Sequence, residues 1–138
     1  NSEKGAVQDR TIYEDTIFAR MLHESGFIDR RDYNTYLGHF NLMKRFLVYP
    51  DILLYLRVNP ETSLNRIAQR GRKAEEGITL EYMQKLFLGY ENFIDEMGRY
   101  TRVISLDWNH YLEIDEVVDR ISEKKKEKLQ FLRDIKTQ

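Results

Sequence analysis

Two short stretches of this chain place charged and aromatic side chains at spacings that could do chemistry. The first is "RIAQRGRKAEEG", Arg66–Gly77, which crowds Arg66, Arg70 and Arg72 into seven residues and follows them with Glu75, Glu76 and a glycine. Arg66 and Arg70 are four apart and share one face of a helix beginning at Pro60. Guanidinium groups offer planar, forked donors that match phosphate oxygens in pairs. Three of them around Gly71 could close over a polyphosphate and exclude water. The same cluster also suits a solvated helix end, whose carbonyls favour cations. Glu75 and Glu76 could accept sugar hydroxyls, or form an acidic turn paired with Lys73.

The second stretch is "QDRTIYEDTIFA", Gln8–Ala19. If "GAVQDR" is a strand, Asp9 and Arg10 stand at its carboxyl end, where open α/β sheets bind ligands. A carboxylate there could hold magnesium, and the arginine could steady a developing phosphoryl charge. Asp15 and Phe18 are three apart on the following helix. An acid beside a ring can hydrogen-bond a nucleobase at its edge and stack on its face. The plainer alternatives are a first-turn acid serving the helix dipole for Asp15 and core packing for Phe18.

The elements that must position these residues follow from periodicity. "DILLYLRVN", bracketed by Pro50 and Pro60, is nearly continuously apolar, as for a strand buried on both faces of a parallel sheet. "TRVISLD" is a third strand, ending at Asp107. Ile17, Phe18, Met21 and Leu22 predict a helix over Glu14–Ser25, closed by Gly26. Tyr33, Tyr36, Leu37, Phe40, Met43 and Leu47 stripe a second helix over Asp32–Leu47. Leu64 and Ile67 face inward after Pro60, and Tyr82, Leu86, Tyr90, Phe93 and Met97 stripe Thr79–Met97. A last helix starts near Leu112 and turns lysine-rich, with Lys124–Lys128 as a solvated face. Strands separated by helices predict an α/β fold.

Bulk properties set the bounds. The 138 residues suffice for one domain with a real core. A net charge of −1 provides no global attraction for nucleic acid or an anionic membrane, so anion binding must be local. With no cysteine, disulfides and thiolate metal sites are excluded. No apolar run approaches membrane-spanning length, and no signal-peptide pattern is visible, so a cytoplasmic protein is expected.

Taken together, "DRTIYEDTIFA" and "PDILLYLRVNPETSLNRIAQRGRKAEEGITLEYMQKL" resemble the acid-Arg-Ser motif and the strand, helix and arginine-rich lid of the deoxynucleoside kinases, in the same order. The resemblance runs from about Val7 to Ile121. It implies a P-loop-kinase-like parallel sheet flanked by helices, and transfer of the γ-phosphate of ATP to the 5′-hydroxyl of a deoxynucleoside. It implies Asp9 near magnesium, Arg10 organising the catalytic carboxylate and the 5′-hydroxyl, and Asp15 and Phe18 at the base. Arg66, Arg70 and Arg72 match the lid arginines that meet ATP, and Glu75 the acid on the sugar 3′-hydroxyl. "SLDWNHYLE", with Asp107, resembles the loop beside the adenine of ATP. Thr11 stands where the family usually has serine, and Ala74 where some members carry another acid. A homodimer is implied, with Tyr33, Tyr36 and Phe40 able to serve the interface or the core. A purine nucleoside is the expected acceptor.

The seven glycines contain no G-x-x-x-x-G-K-[ST] run, and no counterpart of the family's general base is evident. Both elements precede the acid-Arg-Ser motif in the family, and this chain begins with Asn rather than Met. The expectation is therefore a single partial kinase domain over residues 1–138, with residues 66–77 as its lid, inactive by itself. Two other readings stand beside it. One is a thymidylate kinase-like monophosphate kinase, which shares an Asp-Arg after a strand and an arginine-rich lid. The other is a kinase-fold interaction subunit without catalysis.

Overall fold

A computed structural model describes residues 5–123 and residue 126. Apart from Lys126, the lysine-rich run Lys124–Lys128 lies outside the described residues. The elements in order are α1 (Ile12–Glu24), α2 (Arg30–Lys44), β1 (Ile52–Arg57), α3 (Pro60–Arg70), a 3-10 turn (Lys73–Glu75), α4 (Leu80–Met97) and β2 (Arg102–Asp107). A further helical segment covers residues 114–123.

Local chemistry explains most of the boundaries. Helix α1 ends in paired bonds, Phe27 N–H to the Leu22 carbonyl and Gly26 N–H to the His23 carbonyl, with Gly26 at φ 77°. Only glycine takes that conformation without a Cβ penalty. Asp29 caps α2 by accepting from the Asp32 N–H at 2.8 Å, so that helix begins two residues before the apolar stripe suggests. Pro60 opens α3, and Thr79 Oγ1 caps α4 on the Tyr82 N–H at 3.2 Å.

β1 and β2 pair in parallel, in register from Ile52↔Arg102 to Arg57↔Asp107. The chain between them, α3 through α4, is the crossover that a parallel pair requires. α4 packs on both α1 and α3. The core is built on Tyr13, Phe40 and Met97, with Ile12, Tyr36, Leu47, Tyr49, Leu53 and Phe93 against it. Tyr13 stacks on Tyr49 with ring centroids 5.1 Å apart.

Two expectations are corrected. The "GAVQDR" segment forms no strand; Gly5–Gln8 has no regular structure and Val7 is fully exposed. Among the described residues the sheet has two strands, and neither pairs with this segment, so it has no ladder to join. β1 is not buried on both faces either. Leu54 and Leu56 are 37% and 41% exposed, whereas their in-register neighbours Ile104 and Leu106 are 5% and 1% exposed. That face is covered over β2 and open over β1. Of the aromatic stripe of α2, Phe40 is buried in the core and Tyr36 packs against it, while Tyr33, half-buried, stacks on His23 at 4.5 Å.

Helices α1 and α4 meet where Gly89 lacks a side chain. A Cβ there would lie 2.7 Å from Ile17 Cγ2. Ile17 is buried and β-branched, so it cannot swing aside cheaply. Gly89→Ala is expected to destabilise the protein by about 1–3 kcal/mol, less up to about 1 kcal/mol from better helix propensity. Urea denaturation of the variant measures it; a stabilised variant contradicts this packing.

Candidate active site

Three clusters gather the chemically interesting residues: at the start of α1, after α3, and at the carboxyl end of β2. The first lies at the start of α1. Arg10 has a left-handed backbone, φ 62°, the only positive φ outside glycine among the described residues. That turn directs its side chain along α1, where the guanidinium sits 5.8 Å from the Phe18 ring centroid and Nε lies 3.7 Å from Glu14 Oε1. Phe18 meets Tyr90 of α4 edge to face at 6.3 Å. Asp9 and Asp15 are exposed beside this group. Both carboxylates, together with burial, which is the larger effect, push the Glu14 carboxyl above its ordinary range, while Arg10 opposes them. Of the predicted residues, Arg10 and Phe18 are thus brought together, and Asp9 and Asp15 act on the same group through their charge on Glu14. Glu14 and Tyr90 belong to the same group and were not singled out by sequence reasoning.

The second cluster lies in the segment expected to form a lid. α3 ends at Gly71 in the left-handed conformation, φ 60°, and Gly77 at φ 95° closes the 3-10 turn. Between them Arg70 Nη2 lies 3.3 Å from Glu75 Oε2, and Arg72 Nη1 lies 3.7 Å from Glu75 Oε1. Glu75 Oε2 is buried without a hydrogen bond of good geometry. The expected partner of the acidic turn was Lys73; the arginines take that place. Both arginine side chains are at least half exposed, so each ion pair contributes about 0–1 kcal/mol and is easily exchanged for another anion.

Arg66 joins neither pair. Its guanidinium donates to the Asn109 carbonyl at 2.9 Å and covers the Tyr111 ring at 4.3 Å. Asp107, at the end of β2, accepts from the backbone and side-chain N–H groups of Asn109 at 2.9 and 2.8 Å. These bonds, the backbone one foremost, hold its carboxyl below the ordinary range. Asn109 Oδ1 in turn accepts from the Asn59 N–H at 2.9 Å, tying the loop after β2 to the start of α3. Arg66 and Asp107 therefore share the third cluster, apart from Arg70 and Arg72.

One brace was not foreseen. Glu91 of α4 accepts a bidentate pair from Arg57, at 3.0 and 3.1 Å, and a bond from the Tyr55 hydroxyl at 3.0 Å. Arg57 hydrogen bonding lowers the Glu91 carboxyl, and burial foremost raises the Tyr55 phenol. The network ties β1 to α4, and so ties the element that follows the lid to the sheet.

A family model for deoxynucleoside kinase matches residues 1–130. Deoxyadenosine kinase of Dictyostelium discoideum is 44% identical over 118 residues, covering 86% of this chain and 48% of that protein. Deoxyadenosine/deoxycytidine kinase of Bacillus subtilis is 44% identical over 93 residues, covering 65% of this chain and 43% of that protein. Among solved structures, deoxyadenosine kinase from M. mycoides with bound dCTP superposes with a TM-score of 0.71 at 32% identity, covering 86% of this chain and 62% of that one. The same enzyme with bound dATP gives 0.71 at 31% identity, covering 89% and 63%. This chain therefore spans about half the length of the curated relatives it matches.

Proposed function

Because the chain belongs to the deoxynucleoside kinase family, we propose that the whole protein transfers the γ-phosphate of ATP to the 5′-hydroxyl of a deoxynucleoside, a purine one by preference. The α/β fold, like that of deoxyadenosine kinase, supports this reading. The observation that carries it is a cation, an acid and a ring at the start of α1: Arg10, just before the helix, over Phe18, with Asp15 three residues before the ring. A nucleoside needs all three, because its base offers an edge and a face while its reacting hydroxyl develops charge.

In this reading Asp15 reads the base edge, Phe18 packs on the base, and Arg10 meets the 5′-hydroxyl. Arg70 and Arg72 exchange Glu75 for the phosphates of ATP, freeing Glu75 to accept the 3′-hydroxyl. Arg66 and Asp107 line the donor end. Asp9 is a single exposed carboxylate, and no group of three or more metal-binding side chains occurs among the described residues. Such a donor set fits magnesium carried mainly by phosphate oxygens, with Asp9 contributing directly or through water. The bound ion would neutralise charge on those phosphates.

Purine preference draws support from the relatives at 44% identity, one named a deoxyadenosine kinase and the other a deoxyadenosine/deoxycytidine kinase. The proposed setting is the cytoplasm, as a homodimer. No helix among the described residues is long and apolar enough to cross a membrane. Exposed Leu42, Met43 and Phe46 give the end of α2 an apolar surface that a second copy would cover.

The full-length protein is to be assayed with labelled ATP against the four deoxynucleosides and their 5′-monophosphates. Deoxyadenosine or deoxyguanosine is expected to show the highest kcat/KM, and the monophosphates no turnover. Transfer to monophosphates alone would establish the monophosphate-kinase reading instead. No transfer to either class would leave an interaction subunit.

A further inference from the structure

Glu14 differs from the other acids that pair along a helix. In the pairs Lys85–Glu81 and Arg120–Glu116 the acid side chains are 75% and 46% exposed, as solvated surface pairs are. The Glu14 side chain is only 15% exposed, while its partner Arg10 is 70% exposed. The acid is the fixed member and the cation the movable one.

The contact is unfinished. At 3.7 Å, Glu14 Oε1 and Arg10 Nε are too far apart for a hydrogen bond, and that oxygen is buried with no other partner. A buried acceptor left unsatisfied costs free energy. Tyr90 closes the cluster from the α4 side, with its ring on Phe18 and its phenol raised by burial first and then by the nearby Glu14 charge. Next to it, Gly89 brings α4 hard against Ile17 of α1. The carboxylate is thus held between two packed helices. Arg10 reaches it from a backbone conformation that a side chain rarely adopts.

We propose that Glu14 is a positioning residue for Arg10: its fixed carboxylate draws in the guanidinium and sets its orientation over Phe18, toward the acceptor's 5′-hydroxyl. This rests on the kinase reading. Closure of the gap between Oε1 and Nε satisfies the buried oxygen, so substrate binding and cation placement reinforce each other. Tyr90 limits where Phe18 can stand while this happens.

The test uses the full-length protein and four variants: Glu14→Gln, Glu14→Asp, Arg10→Ala, and Glu14→Gln with Arg10→Ala. Glu14→Gln is expected to lower kcat by about tenfold or more, and to add nothing in the Arg10→Ala background, since coupled residues do not act additively. KM for ATP stays unchanged, and Glu14→Asp, which keeps the charge, recovers part of the rate. A folding defect would not spare the double variant or respond to the shorter acid in this way. Wild-type kcat in Glu14→Gln, or losses that multiply in the double variant, would overturn the assignment while a crippled Arg10→Ala left the kinase reading intact. A silent Arg10→Ala would instead take Arg10 out of the reaction and this proposal with it, whereas only a wild type without phosphoryl transfer removes the kinase reading.

Discussion

Arg10→Ala in the full-length protein is expected to lower kcat by about 10²–10³-fold, the usual loss for one charge-stabilising donor, with little change in stability. The two halves of that expectation come from different observations. Most of the Arg10 side chain is in solvent, and its contacts are an ion pair at 3.7 Å and a ring at 5.8 Å. Contacts of that kind contribute about 0–1 kcal/mol each. Its backbone, in contrast, holds a left-handed conformation that costs a non-glycine residue about 1–2 kcal/mol. A residue that contributes little to folding and sits in an unfavourable conformation is better explained by what it does to a ligand. Arg10→Gly separates the effects further: it relaxes the backbone, keeps or raises the unfolding free energy, and still loses turnover. Thermal denaturation alongside steady-state kinetics reads both. Wild-type kcat in Arg10→Ala would remove Arg10 from the reaction.

The helices were legible in the sequence because their signals are local. An apolar stripe, a proline in the first turn and a glycine after the last turn all act within a few residues, whereas the Asp29 cap that starts α2 two residues early was not read. The strands were legible only in part. "ILLYLR" and "RVISLD" do pair in parallel, as their composition suggests. Yet the burial of Leu54 and Leu56 depends on what covers β1 from elsewhere, and a run of apolar residues cannot report that. "GAVQDR" has the composition of a strand and, among the described residues, no neighbour to bond. Strand formation is a property of pairs, so composition alone overreached.

For the candidate site the division is similar. Helical spacing placed Asp15 and Phe18 on one face, while Arg10 was expected at the end of a strand that does not form; the structure instead sets the Arg10 guanidinium over the Phe18 ring. Glu14 carried no signal of its own in the sequence, because its neighbour Tyr90 lies on α4, more than seventy residues along the chain. Tyr90 read as one rung of an apolar stripe for the same reason. The Arg57–Glu91 pair, 34 residues apart, had no sequence signal at all. In the lid the signal was present in the crowding of opposite charges, but the partner was not: Arg70 and Arg72, rather than Lys73, neutralise Glu75.

That lid pairing frames the second large effect. Glu75→Gln is expected to cut kcat/KM for the deoxynucleoside by about 10–100-fold, the worth of a hydrogen bond to a charged acceptor. Two explanations of such a loss must be told apart. If Glu75 merely organises Arg70 and Arg72, its removal weakens the handling of ATP and treats every acceptor alike. If it accepts the sugar 3′-hydroxyl, the loss is confined to acceptors that carry that hydroxyl. The buried, unbonded Oε2 supports the second, since the arginines approach it without satisfying it. The decisive measurement is the ratio of kcat/KM for a 2′-deoxynucleoside to that for its 2′,3′-dideoxy analogue. Wild type should favour the 3′-hydroxyl, because a site built around a polar group rejects the analogue that leaves it unpaired. Glu75→Gln should compress that ratio by about tenfold or more. A ratio unchanged beside a raised KM for ATP would assign Glu75 to the arginines alone, and the lid would then serve only the donor.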